Sequence, residues 1–166
     1  MCVLTSSEIK ERIERDGLIR DYIDLDVQLQ PNGFDCTLRS IARIRGVGRV
    51  DFDNKERKIP EVEEIDFQNW VYLPRGVYRA YINEVIKLSD DLMAIGRPRS
   101  SIVRCGANIL TAVWDAGYEG RSEVSLVVYN DLGLWLKRNA RIMQLIFLRL
   151  KSKTNIYSGI YKYENI

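Results

Sequence analysis

Between residues 96 and 106 the chain runs Gly96-Arg97-Pro98-Arg99-Ser100-Ser101-Ile102-Val103-Arg104-Cys105-Gly106. Three arginines, two hydroxyls and a turn-forming Gly-x-Pro offer guanidinium forks and O–H donors to phosphate oxygens, and a helix starting near Ser100 would add free backbone N–H groups. The same run would equally serve as a capped helix start with surface arginines, and residue types alone leave both readings open. A second group is Val113-Trp114-Asp115-Ala116-Gly117-Tyr118-Glu119-Gly120. There an Asp leaves an apolar strand into a glycine-bearing turn, with a Tyr three residues on. A carboxylate at such a rim can activate water and the ring can stack on a sugar or base; a plain turn with a packed ring uses the same residues. Asp35 sits just inside an apolar strand after Gln30-Pro31-Asn32-Gly33-Phe34, where a buried carboxylate needs a partner. Gln144 interrupts the apolar strand Arg141-Ile142-Met143-Gln144-Leu145-Ile146-Phe147-Leu148 and, if buried, needs hydrogen-bond partners or a ligand.

The chain contains no histidine. Histidine-based triads, general bases and metal ligands are therefore excluded, and carboxylates, hydroxyls, Arg and Lys must carry any chemistry. Cys2, Cys36 and Cys105 are odd in number and widely spread, without metal-ligand spacing, which suits a reducing cytoplasm better than a disulfide framework. The net charge of +2 is too balanced for a protein that coats nucleic acid or an anionic membrane, so neither is expected as a partner. No stretch approaches the ~20 apolar residues of a membrane span, and the N-terminus turns charged too soon for a signal peptide.

The elements that must position these groups follow from periodicity. Thr5-Ser6-Ser7-Glu8 has capping-box spacing, Ile9 and Ile13 repeat at helical distance, and Gly17 stands where a left-handed residue would end the helix; one helix is expected over about 6–16. Beyond it alternation takes over, as in 37–44, 77–82 and 125–129, with breakers at Pro31-Asn32-Gly33, Leu73-Pro74-Arg75-Gly76, Gly96-Arg97-Pro98, Ala116-Gly117 and Asp131-Leu132-Gly133. The pattern predicts an all-β barrel or double-sheet sandwich with one or two small helices. At 166 residues it is expected to be a single domain, 1–166. The charged segment 51–66 is expected to be a solvated hairpin or an insertion with no fold of its own, and the tail 151–166, with Tyr157, Tyr161 and Tyr163, is too aromatic for a purely disordered end.

Taken together in order and spacing, five motifs are far more specific than each alone. They are Gln-Pro-x-x-Phe-Asp-x-x-Leu at 30–38, Pro-Arg-Ser-Ser-x-x-Arg-x-Gly at 98–106, Asp-x-Gly-Tyr-x-Gly at 115–120, Arg-Ile-x-Gln-Leu-Ile-Phe at 141–147 and Lys-Tyr at 162–163. On these the chain resembles the deoxyuridine triphosphatase and dCTP deaminase superfamily, most closely its archaeal, deaminase-like dUTP diphosphatase branch. The resemblance implies a distorted jelly roll assembled as a homotrimer with active sites shared between subunits. It implies dUTP as substrate and magnesium held through the triphosphate, with no metal ligands of its own. It assigns the phosphate cradle to Ser100, Ser101 and Arg104, with Gln144, Lys162 and Tyr163 contributing from elsewhere. The backbone from Asn108 through Thr111 to Ala112 would read the pyrimidine, Tyr118 would press on the deoxyribose, Asp115 would be the base that activates water, and Arg99 would orient Asp115 or the substrate. The tail would close over the nucleotide.

The same resemblance separates two chemistries. A deaminase needs a further Glu on the strand after the Asp, ten residues on and two before a Tyr-Asn-like pair. Here those counts fall on Ser125 and Val127, so deamination is expected to fail. Glu123 is the nearby substitute, two residues away on the same strand face, and is otherwise a solvent-facing strand carboxylate. A dCTP deaminase, a bifunctional enzyme and a non-catalytic nucleotide-binding trimer stand as the competing readings.

Overall fold

A computed structural model describes residues 2–166. Its first helix, α1 (Ser6–Asp16), has the expected ends: the Thr5 side chain accepts from Glu8 N–H while Glu8 reaches back to Thr5, and Gly17 closes it at φ +67°. Ile9 and Ile13 are the buried face, and the Arg12 guanidinium bridges Asp16 and Asp91 at 2.8 and 2.5 Å, tying the helix to the body. A single-turn helix α2 (Leu25–Gln28) is capped by Asp24, and α3 (Ser100–Arg104) follows the Pro98-Arg99 turn.

The rest is antiparallel sheet. The long strand Gly33–Arg45 lies at its centre, with Gly76–Ile82 on one side and Arg141–Arg149 on the other. Outward on the first side come Glu123–Val128 and then Ala107–Leu110; outward on the second come Leu92–Pro98 and then Val113–Trp114. The two outermost strands are joined by Thr111 and Ala112 alone. Two opposite edges can be that close only if the sheet curls round until they meet, which is how a jelly-roll sheet disposes of its edges. Inside the curl lie Phe34, Leu38, Ile41, Ala80, Leu126, Leu145 and Phe147, each fully buried. A small sheet of Ile19–Arg20, Val85–Lys87 and Glu119–Gly120, and the ribbon of Trp70–Leu73 with Leu134–Lys137, complete the frame.

Alternation predicts strands over 37–44, 77–82 and 125–129; the first two lie within Gly33–Arg45 and Gly76–Ile82, and the third lies in Glu123–Val128 except for Tyr129, which falls just past its end. The charged segment is a hairpin as expected: Arg49 and Lys58 bridge, and Glu61–Glu64 pairs back onto Ala42–Arg45. Beneath the sheet sits a buried polar knot that the sequence did not announce. Glu84 is wholly buried, and its carboxylate accepts from Thr37 Oγ1 (2.6 Å), Gln28 Nε2 (2.7 Å) and Thr37 N–H (3.0 Å). Gln28 Nε2 also donates to the Asp35 carbonyl, so α2 is pinned to the central strand.

Candidate active site

Where the curled sheet closes, the chain leaves Trp114 for a tight turn. Tyr118 N–H donates to the Asp115 carbonyl at 3.1 Å, with Gly117 third in the turn at φ +79°, the left-handed position a type II turn requires. A Cβ on Gly117 would also stand 2.5 Å from Ile156 of the tail. The turn puts Asp115 outward, exposed, and Tyr118 inward, buried. Both line one cavity of about 490 Å³. Leu110 and Ala112 of the expected base-reading segment line it too, as do Arg79, Glu123 and Ser125 from the neighbouring strands and Tyr157, Tyr161 and Glu164 from the tail. Asn108 lies across from Val127, two residues before Leu110, and Thr111 Oγ1 turns to the Gly96 carbonyl at 3.5 Å.

Glu123, Ser125 and Val127 alternate with the buried Val124, Leu126 and Val128, so all three share one face. Glu123 is not the solvent-facing carboxylate expected of it. The curl turns that face toward the cavity, where Glu123 meets Arg79 Nε at 3.3 Å and Asn165 Nδ2 at 3.3 Å.

The phosphate-cradle candidates form a second group. Ser100, Ser101 and Arg104 are exposed on α3, which Ile102 anchors in the core. Arg99 N-caps that helix, and its Nε meets Asp35 Oδ2 at 2.9 Å; Arg141 Nη1 reaches the same oxygen at 3.2 Å. Asp35 thus has the partners its position demanded, although burial raises its pKa against the pull of both guanidiniums. Gln144, half-buried, lies between Asp35 and Arg97 in the strand register. None of Arg99, Ser100, Ser101, Arg104 and Gln144 lines the cavity that holds Asp115, so one chain presents the two groups apart. Lys162 and Tyr163 are beside the cavity on the tail: Tyr163 N–H donates to the Glu119 carbonyl at 2.6 Å, and Lys162 Nζ stands 5.5 Å from the centre of the Tyr163 ring.

Sequence reasoning missed Arg79, Ser122 and Glu164. The one available signal was chemical: Trp114 and Tyr118 carry polar handles on buried rings, and such handles need partners. Trp114 Nε1–H donates to Ser122 Oγ at 2.6 Å, Ser122 Oγ is 2.8 Å from the Tyr118 hydroxyl, and that hydroxyl donates to Glu164 Oε1 at 2.7 Å. Burial drives the pKa of the Tyr118 hydroxyl far up, so it remains a donor at any ordinary pH. Burial raises that of Glu164 as well, opposed by the hydrogen bond from Tyr118.

Residues 3–150 match the family model described as dCTP deaminase-like. The chain belongs to that family. Within the dCTP deaminase-like family its relatives include a probable deoxyuridine 5'-triphosphate nucleotidohydrolase of Archaeoglobus fulgidus, 67% identical over 100% of this chain and 99% of the relative. One of the same name from Methanosarcina acetivorans is 49% identical over 99% of each chain. The deoxyuridine 5'-triphosphate nucleotidohydrolase of Methanocaldococcus jannaschii is 37% identical, over 81% of this chain and 87% of that one. Among solved structures, the 2'-deoxycytidine 5'-triphosphate deaminase of Agrobacterium tumefaciens superposes with a TM-score of 0.70 at 24% identity, covering 89% of this chain and 48% of that one. That likeness bears on the fold, and the curled antiparallel sheet is the dCTP deaminase-like, jelly-roll type of architecture.

Proposed function

We propose that the protein is a dUTP diphosphatase that hydrolyses dUTP to dUMP and pyrophosphate. The observation that carries this reading is the pairing at the cavity wall of an exposed Asp115 with a buried Tyr118, three residues apart on one turn, with Ser125 lining the same cavity and Val127 two residues further along that strand, where a deaminase's Glu would be counted. The names of the archaeal relatives agree with it. Asp115 accepts a proton from water, whose oxygen attacks the α-phosphorus in line; the bond from that phosphorus to the α–β bridging oxygen breaks, and pyrophosphate leaves. Tyr118 packs against the deoxyribose where a 2'-hydroxyl would have to fit, and the backbone around Leu110 and Ala112 faces the base.

Ser100, Ser101, Arg104 and Gln144 supply charge-assisted and neutral hydrogen bonds to the phosphates. Since they stand apart from the Asp115 cavity in one chain, the complete site joins the cavity of one subunit to the cradle of another in a homotrimer. Arg99, fixed on Asp35, then acts on the substrate from the cradle side and not on the Asp115 of its own chain. Lys162 and Tyr163 join from the tail as it closes on the nucleotide.

Among the described residues no group of three or more His, Cys, Asp and Glu side chains could hold a metal ion. If magnesium arrives on the triphosphate, Asp115 would be the carboxylate of the cavity turn able to face it. When bound, the ion supplies charge neutralisation for the leaving pyrophosphate.

The cavity-facing Glu123 supports a second reading, dCTP deamination. Against it, that carboxylate is engaged by Arg79 and Asn165. Incubating the protein and magnesium separately with dUTP and dCTP decides between them. Release of dUMP from dUTP with dCTP untouched is the expected result; dUTP or dUMP formed from dCTP gives Glu123 the deaminase role; no reaction of either nucleotide leaves a binding protein.

A further inference from the structure

The tail ends on a hydrogen-bonded chain that starts in the cavity wall. An indole N–H can only donate, and an ionised carboxylate only accepts. Trp114 at one end and Glu164 at the other therefore set the direction of the middle bond: Ser122 donates to Tyr118, and Tyr118 donates to Glu164. Trp114, Ser122 and Tyr118 are buried and Glu164 is half-buried. The tail backbone is fixed alongside, with Arg121 N–H donating to the Glu164 carbonyl at 2.9 Å. The Tyr118 ring is held from two further sides, by the Tyr157 ring at 6.1 Å between centroids and by Gly120, where a Cβ would come within 2.7 Å of the hydroxyl.

We propose that Glu164 is the positioning residue for Tyr118: by accepting the hydroxyl's hydrogen bond it fixes the ring in the cavity, so that docking of the tail and rejection of a ribonucleotide are one event. The proposal rests on the reading of the cavity as a dUTP site. Excluding a single hydroxyl by contact is a matter of about an ångström, and a ring free to tilt gives way by that much. Steric discrimination of so small a group is worth only ~10–200-fold even in a well-formed pocket, so loss of the clamp consumes most of it. Without Glu164 the chain loses its terminal acceptor, and Tyr118 is left to turn its proton toward a Ser122 oxygen that already accepts from Trp114. A tail contributed without Glu164 would still cover the nucleotide but would no longer report which sugar lies beneath it.

The test uses the full chain with Glu164→Ala and Glu164→Gln, comparing kcat/KM for dUTP and UTP. Glu164→Ala is expected to lower the dUTP/UTP preference about tenfold, with the change appearing as faster use of UTP. Glu164→Gln is expected to keep the preference within about threefold, since its amide oxygen accepts the same bond. A preference unchanged in Glu164→Ala, or one that falls as far in Glu164→Gln, overturns the proposal. Calorimetric affinities for non-hydrolysable α,β-imido dUTP and UTP repeat the comparison without turnover. If wild-type protein does not hydrolyse dUTP but the alanine variant still loses preference in binding, the hydrolase reading fails and the clamp stands; if the binding preference does not move, the clamp fails.

Discussion

Two carboxylates show how differently the same group is used at the residue scale. Asp115 is exposed at the lip of a turn and has freedom to meet water and substrate. Replacing it by Asn keeps shape and hydrogen bonding but removes the proposed proton acceptor, so kcat on dUTP should fall by ~10²–10⁴ with KM nearly unchanged. Steady-state kinetics would show it, and retained turnover would remove Asp115 from the mechanism. Glu84 is the opposite case, buried and meeting three donors with its two oxygens. Glu84→Gln removes a buried charge, yet it turns an amide NH₂ toward the Thr37 N–H. The resulting donor–donor clash should cost about 1–3 kcal/mol in urea unfolding, where removal of a charge alone would stabilise. Asp115 was legible in the sequence because the turn around it is local. Glu84 was not, because its partners Gln28 and Thr37 lie 56 and 47 residues away.

Local encoding also decides which elements could be foreseen. Both ends of α1 are written in its own residues, Thr5 with Glu8 at one end and Gly17 at the other, and the helix begins and ends as expected. Thr5→Ala should therefore cost ~1 kcal/mol, read as a lowered melting temperature. The strands were legible from alternation, but their order was not: Leu92–Pro98 pairs with Arg141–Arg149 across more than forty residues, and no local pattern specifies that. The same limit hid the docking of the tail, whose composition said only that it should not be disordered. At the end of α1, Asp16 is held by Arg15 and Arg12 with a pKa lowered from 3.8 to about 2. A carboxylate with a depressed folded-state value contributes stability above its unfolded value and loses it as pH falls toward the folded one. Asp16→Asn should therefore flatten the acid limb of stability between pH 3.8 and about 2. The effect should be small and further reduced by salt, since the pair is near the surface.

At the scale of the whole molecule, the decisive fact is that one chain shows Asp115 and Tyr118 in a cavity that Ser100, Ser101, Arg104 and Gln144 do not line. The motifs were all legible as residues, but their division into two groups became visible only once the sheet was seen to curl. The proposed homotrimer with shared sites would turn that division into arithmetic. Asp115→Asn and Arg104→Ala should each be inactive alone, and each should scatter light with three times the mass of the 19.3 kDa chain. When the two are refolded together, a cyclic trimer containing both kinds of subunit has one interface at which an intact Asp115 cavity meets an intact Arg104 cradle. Random assembly at equal concentrations then restores roughly a quarter of wild-type sites, given heterologous, ring-closing contacts. If instead each site is made within a single chain, no mixture can contain an intact one, and the refolded sample stays as inactive as its parents.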